Sequence, residues 1–271
     1  MAQYESASAV LDRAGLERAI QNDELFLLYQ PKISLPLGTL VGVEALVRWR
    51  HHFLGVLPPD QFIHLAEASG LINPLTQWVV TEALRQWSTW KNHDLWLNVA
   101  VNISAKNLES IEFPDLLHAL CVKHQVPDEC LMIELTESAT QGLVELLDTL
   151  TRLRLKGIRL AIDDFGIGYS SLARLQQLPF SEMKIDRSFV MRADASKDCL
   201  AICKTIIDLA HNLGIEVVAE GVESGRVLQI LSDLGCDAAQ GYYIARPMEG
   251  EHLLSWQFTT TIPEPGHARI A

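Results

Sequence analysis

Eight short apolar segments, most of them separated by a stretch with helical spacing, constrain the fold of this chain more than any other feature. They have the lengths of β-strands and read LFLLYQPKI, LVGVEALVRW, LNVAVNIS, LMIELTE, IRLAIDD, EMKIDRSF, IEVVAEGV and AAQGYYIA. Strands that alternate with helices form parallel sheets covered by helices. At this length, the pattern predicts a (β/α)8 barrel. A doubly wound open sheet remains the alternative, because strand order cannot be read from the sequence.

Two of the helical segments carry recognisable start signals. The segment SATQGLVELLDTLTRLRLKG begins with Ser138 and Gln141, which have the spacing of a capping box. The segment NPLTQWVVTEALRQW predicts Asn73 as the N-cap and Pro74 at the first helical position. Both segments are therefore expected to form amphipathic helices between strands.

Both ends of the chain differ in composition from the rest. The first residues are small and polar, and the last are polar and rich in proline. We therefore expect an N-terminal tail over residues 1–15, one folded domain over 16–257 and a C-terminal tail over 258–271. No linker or internal repeat interrupts the central part.

Composition excludes several classes of function. The formal net charge of −12, from 22 basic and 34 acidic residues, argues against binding to a nucleic-acid polymer. No apolar run reaches the roughly 18 residues that a membrane helix needs, so no membrane segment is expected. The five cysteines form no CxxC pair, and their odd number without a signal peptide indicates core thiols in a reducing compartment, the cytoplasm.

The polar residues of the strands fall on one face. Because neighbouring strand residues point to opposite sides, Glu44 opposes Val43 and Ala45, and Lys184 opposes Met183 and Ile185. In a barrel, the apolar face packs under the helices and the other face points inward. We expect small residues to fill the lower interior and charged residues to cluster at the C-terminal ends of the strands, where the active sites of barrels lie.

The side chains expected at this mouth carry mostly oxygen ligands. They are Glu44, Asn102, Glu134, Asp163, Asp164, Asp186, Glu220, Gln240 and one lysine, Lys184. Six carboxylates from five strands cannot stay ionised together without positive charge. An all-oxygen set favours Mg²⁺ or Mn²⁺ over zinc, whereas Ca²⁺ fits structurally and is expected to inhibit.

The number of oxygen ligands predicts two ions at one site. Two ions about 3.5–4 Å apart would use all the oxygens, with Asp163 as the bridge and Asp164 turned out of the strand end to hold the second ion. Such a pair suits in-line displacement at phosphorus.

The motifs that carry these residues resemble those of the EAL family, the cyclic-di-GMP phosphodiesterases. They are EALVRW (44–49), VNIS (101–104), ELTES (134–138), DDFGIGYSSL (163–172), KIDRSFV (184–190), AEGVE (219–223) and QGYY (240–243). Each is a weak signal alone, but all seven in order are highly specific. The resemblance implies a modified TIM barrel with one antiparallel strand, and Mg²⁺- or Mn²⁺-dependent hydrolysis of cyclic-di-GMP to linear pGpG.

The resemblance also implies a role for each matching residue. Glu44, Asn102, Glu134 and Asp163 would hold one metal, and Asp163, Asp164 and Glu220 the other. Lys184 would orient the attacking water and the phosphate, and Glu220 would accept the proton. The substrate pocket or its surroundings would include Gln30, Arg48, Asp186, Glu223 and Gln240.

A further group of residues matches a regulatory segment of the family. Glu137 and the loop residues Phe165, Gly166, Gly168 and Tyr169 correspond to the segment that couples metal binding to dimerisation. The resemblance therefore implies a homodimer and, in the full-length protein, fusion to a sensory domain. Ile167 departs from the family pattern, because a small or hydroxylated residue is commoner there.

Two other functions compete with this interpretation. A non-catalytic cyclic-di-GMP receptor is the main alternative, although such members lose metal ligands and every expected ligand is present here. An unrelated barrel hydrolase, such as a glycosidase with two carboxylates, would leave the Asp163–Asp164 pair, Asn102 and Lys184 unexplained. The chain contains no GGDEF signature, so nothing supports cyclase activity.

Overall fold

In a computed structural model of the protein, the described residues are 11–137, 147–168 and 172–257. Nine strands of these residues form one sheet. The strands are β1 (Leu25–Ser34), β2 (Leu40–His51), β3 (Gly55–Leu57), β4 (Asn98–Asn102), β5 (Leu131–Thr136), β6 (Arg159–Phe165), β7 (Glu182–Ile185), β8 (Glu216–Ala219) and β9 (Ala238–Gln240). All eight predicted strand segments are present, and β3 is an addition that the sequence did not indicate.

The sheet closes into a barrel of eight strands. Around the barrel the order is β1, β9, β8, β7, β6, β5, β4 and β2, and β2 pairs again with β1, while β3 extends β2 as a hairpin. Strand β1 is antiparallel to both of its neighbours, and the pairs from β2 through β4 to β9 are parallel. The prediction of a modified TIM barrel with one antiparallel strand is confirmed, and the open sheet is wrong.

Helices precede, connect and follow these strands. The α-helices are α1 (Arg13–Gln21), α2 (Ile63–Ser69), α3 (Ile72–Lys91), α4 (Ala105–Leu108), α5 (Phe113–His124), α6 (Leu147–Leu155), α7 (Leu172–Gln177), α8 (Arg187–Val190), α9 (Lys197–Asn212) and α10 (Gly225–Asp233). Short 3₁₀ turns span Pro59–Gln61, Asp128–Cys130 and His252–Ser255. Ser138 and Gln141, the expected capping box, lie outside the described residues.

Helix α3 begins earlier than the sequence indicated. Its N-cap is Leu71, whose carbonyl accepts the N–H of Leu75, so the prediction of Asn73 as the N-cap is wrong. Pro74 is tolerated because the first turn of a helix does not need its missing N–H. Asn73 instead accepts a hydrogen bond from the side chain of Asn107, at 2.7 Å.

The alternation of strand faces follows the prediction. Val43, Val99 and Ile133 lie in the large core beneath the helices, whereas Ala100, Met132 and Ala161 form a separate small cluster inside the barrel. The expectation that small residues fill the lower interior is only partly right. Lys32 and Glu182 also form a buried ion pair there, with Nζ 2.7 Å from the carboxylate, which strand alternation did not indicate.

The structure also bears on the expectations for the cysteines and for membrane helices. All five cysteines are free thiols, four of them buried and Cys130 half-buried, which confirms the prediction of packed core thiols. None of the helices in the described ranges combines the length and the apolar character needed to cross a bilayer.

Strand β7 ends at Ile185, earlier than predicted, because the Asp186 side chain caps α8 by accepting the N–H of Ser188.

Candidate active site

The inward-facing polar residues meet where the parallel strands end. Glu44, Glu134, Asp163 and Lys184 belong to β2, β5, β6 and β7, and Glu220 follows the last residue of β8. All five side chains surround one point, because the strands present the same face to the interior and end at the same rim. The sequence prediction of a convergent acidic cluster is therefore matched by the geometry.

Lys184 is the cation at the centre of this cluster. Its side chain is 1% exposed, and its Nζ lies within salt-bridge distance of four carboxylates. The distances are 2.6 Å to Glu220, 2.8 Å to Glu134, 3.4 Å to Asp163 and 3.6 Å to Glu44. Burial alone would lower the pKa of Lys184, but the attraction of these carboxylates holds it well above its usual value. The four carboxylates therefore favour the charged form of Lys184.

Glu44 is held by hydrogen bonds that favour its ionised form. It accepts hydrogen bonds from the side-chain amides of Asn102 and Gln240, both at 2.6 Å. Burial raises the pKa of Glu44, but Lys184 and these hydrogen bonds outweigh burial, so the pKa lies below its usual value. Lys184 and the two amides therefore hold Glu44 charged, and the amides fix its carboxylate in place.

Glu134 and Glu220, which also contact Lys184, hold protons more readily than Glu44. Burial raises the pKa of Glu134 well above its usual value, despite the attraction of Lys184. Burial, with repulsion from Asp163 and Glu44, raises the pKa of Glu220 to about 8. One lysine does not neutralise four carboxylates, so this cluster would gain from further positive charge.

The adjacent aspartates at the end of β6 share one site. Asp164 has a left-handed backbone, with φ of 55°, and its N–H donates to the Asp163 side chain at 2.8 Å. Burial and repulsion from Asp163 and Asp186 raise the pKa of Asp164 to about 6. Ligand oxygens of Asp163, Asp164 and Glu220 all lie within 4.8 Å of one another. These three residues could hold a metal ion.

Two adjoining cavities open from this cluster. The smaller has a volume of about 410 Å³ and the larger about 1140 Å³, and both are lined by Glu44, Asp163 and Glu220. Gln30, Glu223 and Gln240, which the family resemblance assigns to the substrate pocket or its surroundings, line the smaller cavity. The acidic cluster therefore lies at the junction of a two-part cleft.

The predicted substrate residues differ in how they are held. Gln30 is fixed by hydrogen bonds to the Ala245 carbonyl and from Gln240, both at 3.1 Å. Asp186 lines the larger cavity, whereas Glu223 is exposed. Arg48 is half-buried and donates to the Val47 carbonyl at 2.8 Å. It is not among the residues lining either cavity.

The segment after β6 is tied to the barrel by Glu137. Its buried carboxylate accepts the N–H groups of Gly166 and Gly168, both at 3.0 Å. A Cβ at Gly168 would lie 2.8 Å from this carboxyl group, so the glycine permits the close approach. Phe165 is buried at the end of β6, and Tyr169 lies outside the described residues.

Apart from its glycines, the smaller cavity has three residues that were not predicted from the sequence. Arg187, Met191 and Tyr242 line it beside Glu223. Tyr242 is 52% exposed, and the guanidinium carbon of Arg246 lies 4.3 Å from its ring centroid. Tyr242 stands in the QGYY motif next to the predicted Gln240, so its position in the motif was an available signal.

The chain matches the family model of the EAL domain over residues 13–247. It is 41% identical over 243 residues to the bifunctional diguanylate cyclase/cyclic di-GMP phosphodiesterase MucR of Pseudomonas aeruginosa, covering 89% of this chain and 35% of that protein. The cyclic di-GMP phosphodiesterase RocR of the same organism is 38% identical over 247 residues, with 90% and 62% covered. The chain thus spans less than two thirds of either relative.

Solved structures share the architecture. The phosphodiesterase PaMucR in complex with c-di-GMP matches with a TM-score of 0.84 and 40% identity, covering 89% of this chain and 98% of that one. The EAL domain of FimX from Pseudomonas aeruginosa, bound to c-di-GMP, matches with a TM-score of 0.80 and 25% identity, covering 87% and 95%.

Proposed function

Because this chain belongs to the EAL domain family, we propose that it is a phosphodiesterase that hydrolyses cyclic di-GMP to linear pGpG with the help of divalent metal ions. The observation that carries the proposal is the convergence of Glu44, Glu134, Asp163 and Glu220 on Lys184 at the mouth of the barrel. The relatives named as cyclic di-GMP phosphodiesterases support the substrate.

The side chains at the mouth fit a pair of hard cations. Every ligand group is an oxygen of a carboxylate or amide, and no His or Cys joins Asp163, Asp164 and Glu220 in their cluster among the described residues. One ion would be held by Glu44, Asn102, Glu134 and Asp163, and a second by Asp163, Asp164 and Glu220. Bound Mg²⁺ or Mn²⁺ would acidify the attacking water and neutralise charge on the phosphoryl oxygens. Ca²⁺, with longer and looser coordination, would occupy the site and inhibit.

The remaining groups bind and orient the substrate. The two-part cleft offers one cavity to each half of the cyclic dinucleotide, which would bring a phosphodiester over the shared residues Glu44, Asp163 and Glu220. The Lys184 ammonium would donate a hydrogen bond to the phosphate and orient the water, and Glu220 would accept the proton of that water. The nucleotide would be held directly, or through neighbouring side chains, by Gln30, Arg48, Asp186, Glu223 and Gln240.

Glu137 and the segment that it holds suggest how a dimer interface could be connected to the metal site. We propose that the domain works as a homodimer, with Glu137, Phe165, Gly166, Gly168 and Tyr169 linking the metal site to the dimer interface. We also propose a reducing, cytoplasmic environment, which suits five free cysteines, and control by a sensory domain in a longer chain. Sedimentation with and without Mn²⁺ tests the dimer.

Incubation with cyclic di-GMP separates the enzyme from a receptor. With Mg²⁺ or Mn²⁺, chromatography should recover pGpG, whereas Ca²⁺ or a chelator should leave the cyclic dinucleotide intact. Calorimetric titration in Ca²⁺ should still detect binding. Binding without product in Mg²⁺ and Mn²⁺ would identify a receptor, and full turnover in excess chelator would rule out the metal-dependent reaction.

A further inference from the structure

A second buried ion pair lies inside the barrel, below the acidic cluster. Lys32 on β1 and Glu182 on β7 are 5% and 2% exposed, and the Lys32 Nζ lies 2.7 Å from both carboxylate oxygens. Strands β8 and β9 separate β1 from β7 in the sheet, so this interior ion pair reaches across the barrel. It is therefore a tertiary contact rather than a pairing of neighbouring strands.

The surrounding residues leave room for this contact. Lys32 lies beside Gly42 in the register of β1 with β2, and Glu182 lies beside Ala161 in that of β6 with β7. A Cβ at Gly42 would approach the Lys32 Cε at 3.4 Å and the Asn98 carbonyl oxygen at 2.9 Å. A larger side chain at residue 42 would therefore disturb both Lys32 and the adjacent backbone.

The interior ion pair is close to the lysine of the active site. Glu182 and Lys184 are two residues apart on the inward face of β7, a separation of about 7 Å along the strand. Because a lysine side chain is long and flexible, the Glu182 carboxylate is within reach of the Lys184 ammonium. In the structure, Lys32 pairs with the Glu182 carboxylate, and Lys184 instead contacts Glu134 and Glu220.

Stability alone does not account for two charges at this place. Replacing a buried ion pair by apolar residues of similar volume is often neutral or stabilising, because both charges lose their hydration. Removing only Lys32 would leave the buried Glu182 carboxylate without its partner, and the nearest remaining cation on the inward face of β7 is Lys184. Lys32 thus keeps the Glu182 carboxylate from competing with the carboxylates at the mouth for Lys184.

We propose that Lys32 and Glu182 are positioning residues. By pairing with the Glu182 carboxylate, Lys32 keeps the Lys184 ammonium among the carboxylates at the mouth. The expected effect on turnover rests on the proposed function. The expected position of the Lys184 side chain does not depend on the proposed function.

Two variants test the interior ion pair. In crystals of Lys32→Met, the Lys184 Nζ should lie against Glu182, and in Lys32→Met/Glu182→Met it should return to Glu134 and Glu220. For cyclic di-GMP hydrolysis, Lys32→Met should lose between about tenfold and a hundredfold in kcat with KM little changed, because a displaced catalytic group slows chemistry more than binding. The double variant should recover most of the lost kcat.

The controls separate positioning from folding. Lys204→Met breaks the exposed Lys204–Asp208 pair on α9 and should leave kcat unchanged. If Lys32→Met does not fold, Lys32→Gln removes the charge but keeps a hydrogen-bond donor for Glu182, and it should move Lys184 toward Glu182 with a smaller loss of kcat than an apolar residue. Lys184 remaining at the mouth in the single variant, or a double variant as slow as the single, would overturn the proposal. A wild-type protein that binds but does not hydrolyse would refute the proposed function, while the crystals would still decide the position of Lys184.

Discussion

The Nζ of Lys184 lies 2.6 Å from Oε1 of Glu220, so the buried cation and the proposed proton acceptor are direct partners. In this arrangement, Lys184 supplies part of the positive charge that the cluster needs. Divalent ions bound to the carboxylates would take over that role and leave the ammonium available to the phosphate. Metal binding and the proposed action of Lys184 would therefore be linked through the same carboxylates.

Lys184→Met should separate these two roles. It should lower kcat by at least about a hundredfold, as expected on loss of one hydrogen-bond donor to the transition state. Mn²⁺ affinity should stay the same or increase, because one competing positive charge is gone. Calorimetric titration with Mn²⁺ beside a product assay measures both. Loss of Mn²⁺ binding in a folded variant would contradict this division of roles.

Glu44→Ala and Asp163→Asn should each abolish turnover while the fold is retained. Each removes a carboxylate that the proposal assigns to a metal ion, and the circular dichroism spectrum should match that of the wild type. Asp208→Asn, at an exposed helical site, is the control and should leave turnover unchanged. Activity close to the wild-type level in either ligand variant would show that the metal assignment is wrong.

The inward-facing site residues could be predicted because strand alternation is a local property. Glu44, Glu134, Asp163 and Lys184 were assigned to the inner face from sequence spacing alone, and the structure has them there. Alternation does not encode strand direction, so the antiparallel β1 came only from the family resemblance.

Contacts across the barrel could not be predicted in the same way. Lys32 and Glu182 are 150 residues apart in sequence, and neither strand's pattern distinguishes this pair from separate surface charges. The three-residue strand β3 is too short to give a periodic signal. Asp186 was expected within a strand, because a capping aspartate and a strand residue look alike until the helix that follows is known.

Arg48→Ala should raise the KM for cyclic di-GMP more than it lowers kcat. This follows if Arg48 binds the ground state and the transition state equally, as a residue that contacts the substrate away from the reacting phosphate would. Because Arg48 does not line either cavity, contact requires its half-buried side chain to turn toward the cleft. Steady-state kinetics measures both constants. A fall in kcat at constant KM would assign Arg48 to the transition state instead.

Glu137→Ala should raise the Mn²⁺ concentration needed for half-maximal activity. The substitution leaves the N–H groups of Gly166 and Gly168 without their buried acceptor and releases the segment that follows Asp163 and Asp164. Glu137→Gln keeps one acceptor oxygen and should have a smaller effect. Metal titration of activity compares the three proteins, and equal midpoints would contradict a connection between Glu137 and the metal site.

The acidic cluster should make the effect of metal depend on pH. Burial raises the pKa of Asp164 to about 6 and that of Glu220 to about 8, so the folded chain holds protons there that the unfolded chain releases at lower pH. These two groups therefore make the metal-free protein less stable as the pH rises from about 4 to about 8. A metal ion bound to these carboxylates would remove this cost by replacing the protons.

The Tm increase caused by Mn²⁺ should accordingly be larger at pH 8 than at pH 6. Thermal unfolding with Mn²⁺ and with chelator at both pH values gives the two increments. Glu220→Gln, which has no proton to release, should show less growth of the increment with pH. An increment in the wild type that does not change between pH 6 and pH 8 would contradict the assigned pKa shifts.

Anomalous diffraction from crystals soaked in Mn²⁺ tests most directly whether the converging carboxylates hold metal. We predict one manganese peak within coordination distance of oxygens of Asp163, Asp164 and Glu220, and a second peak surrounded by Glu44, Asn102 and Glu134. Crystals that hydrolyse cyclic di-GMP while these carboxylates still surround Lys184, with no manganese near them, would contradict the account.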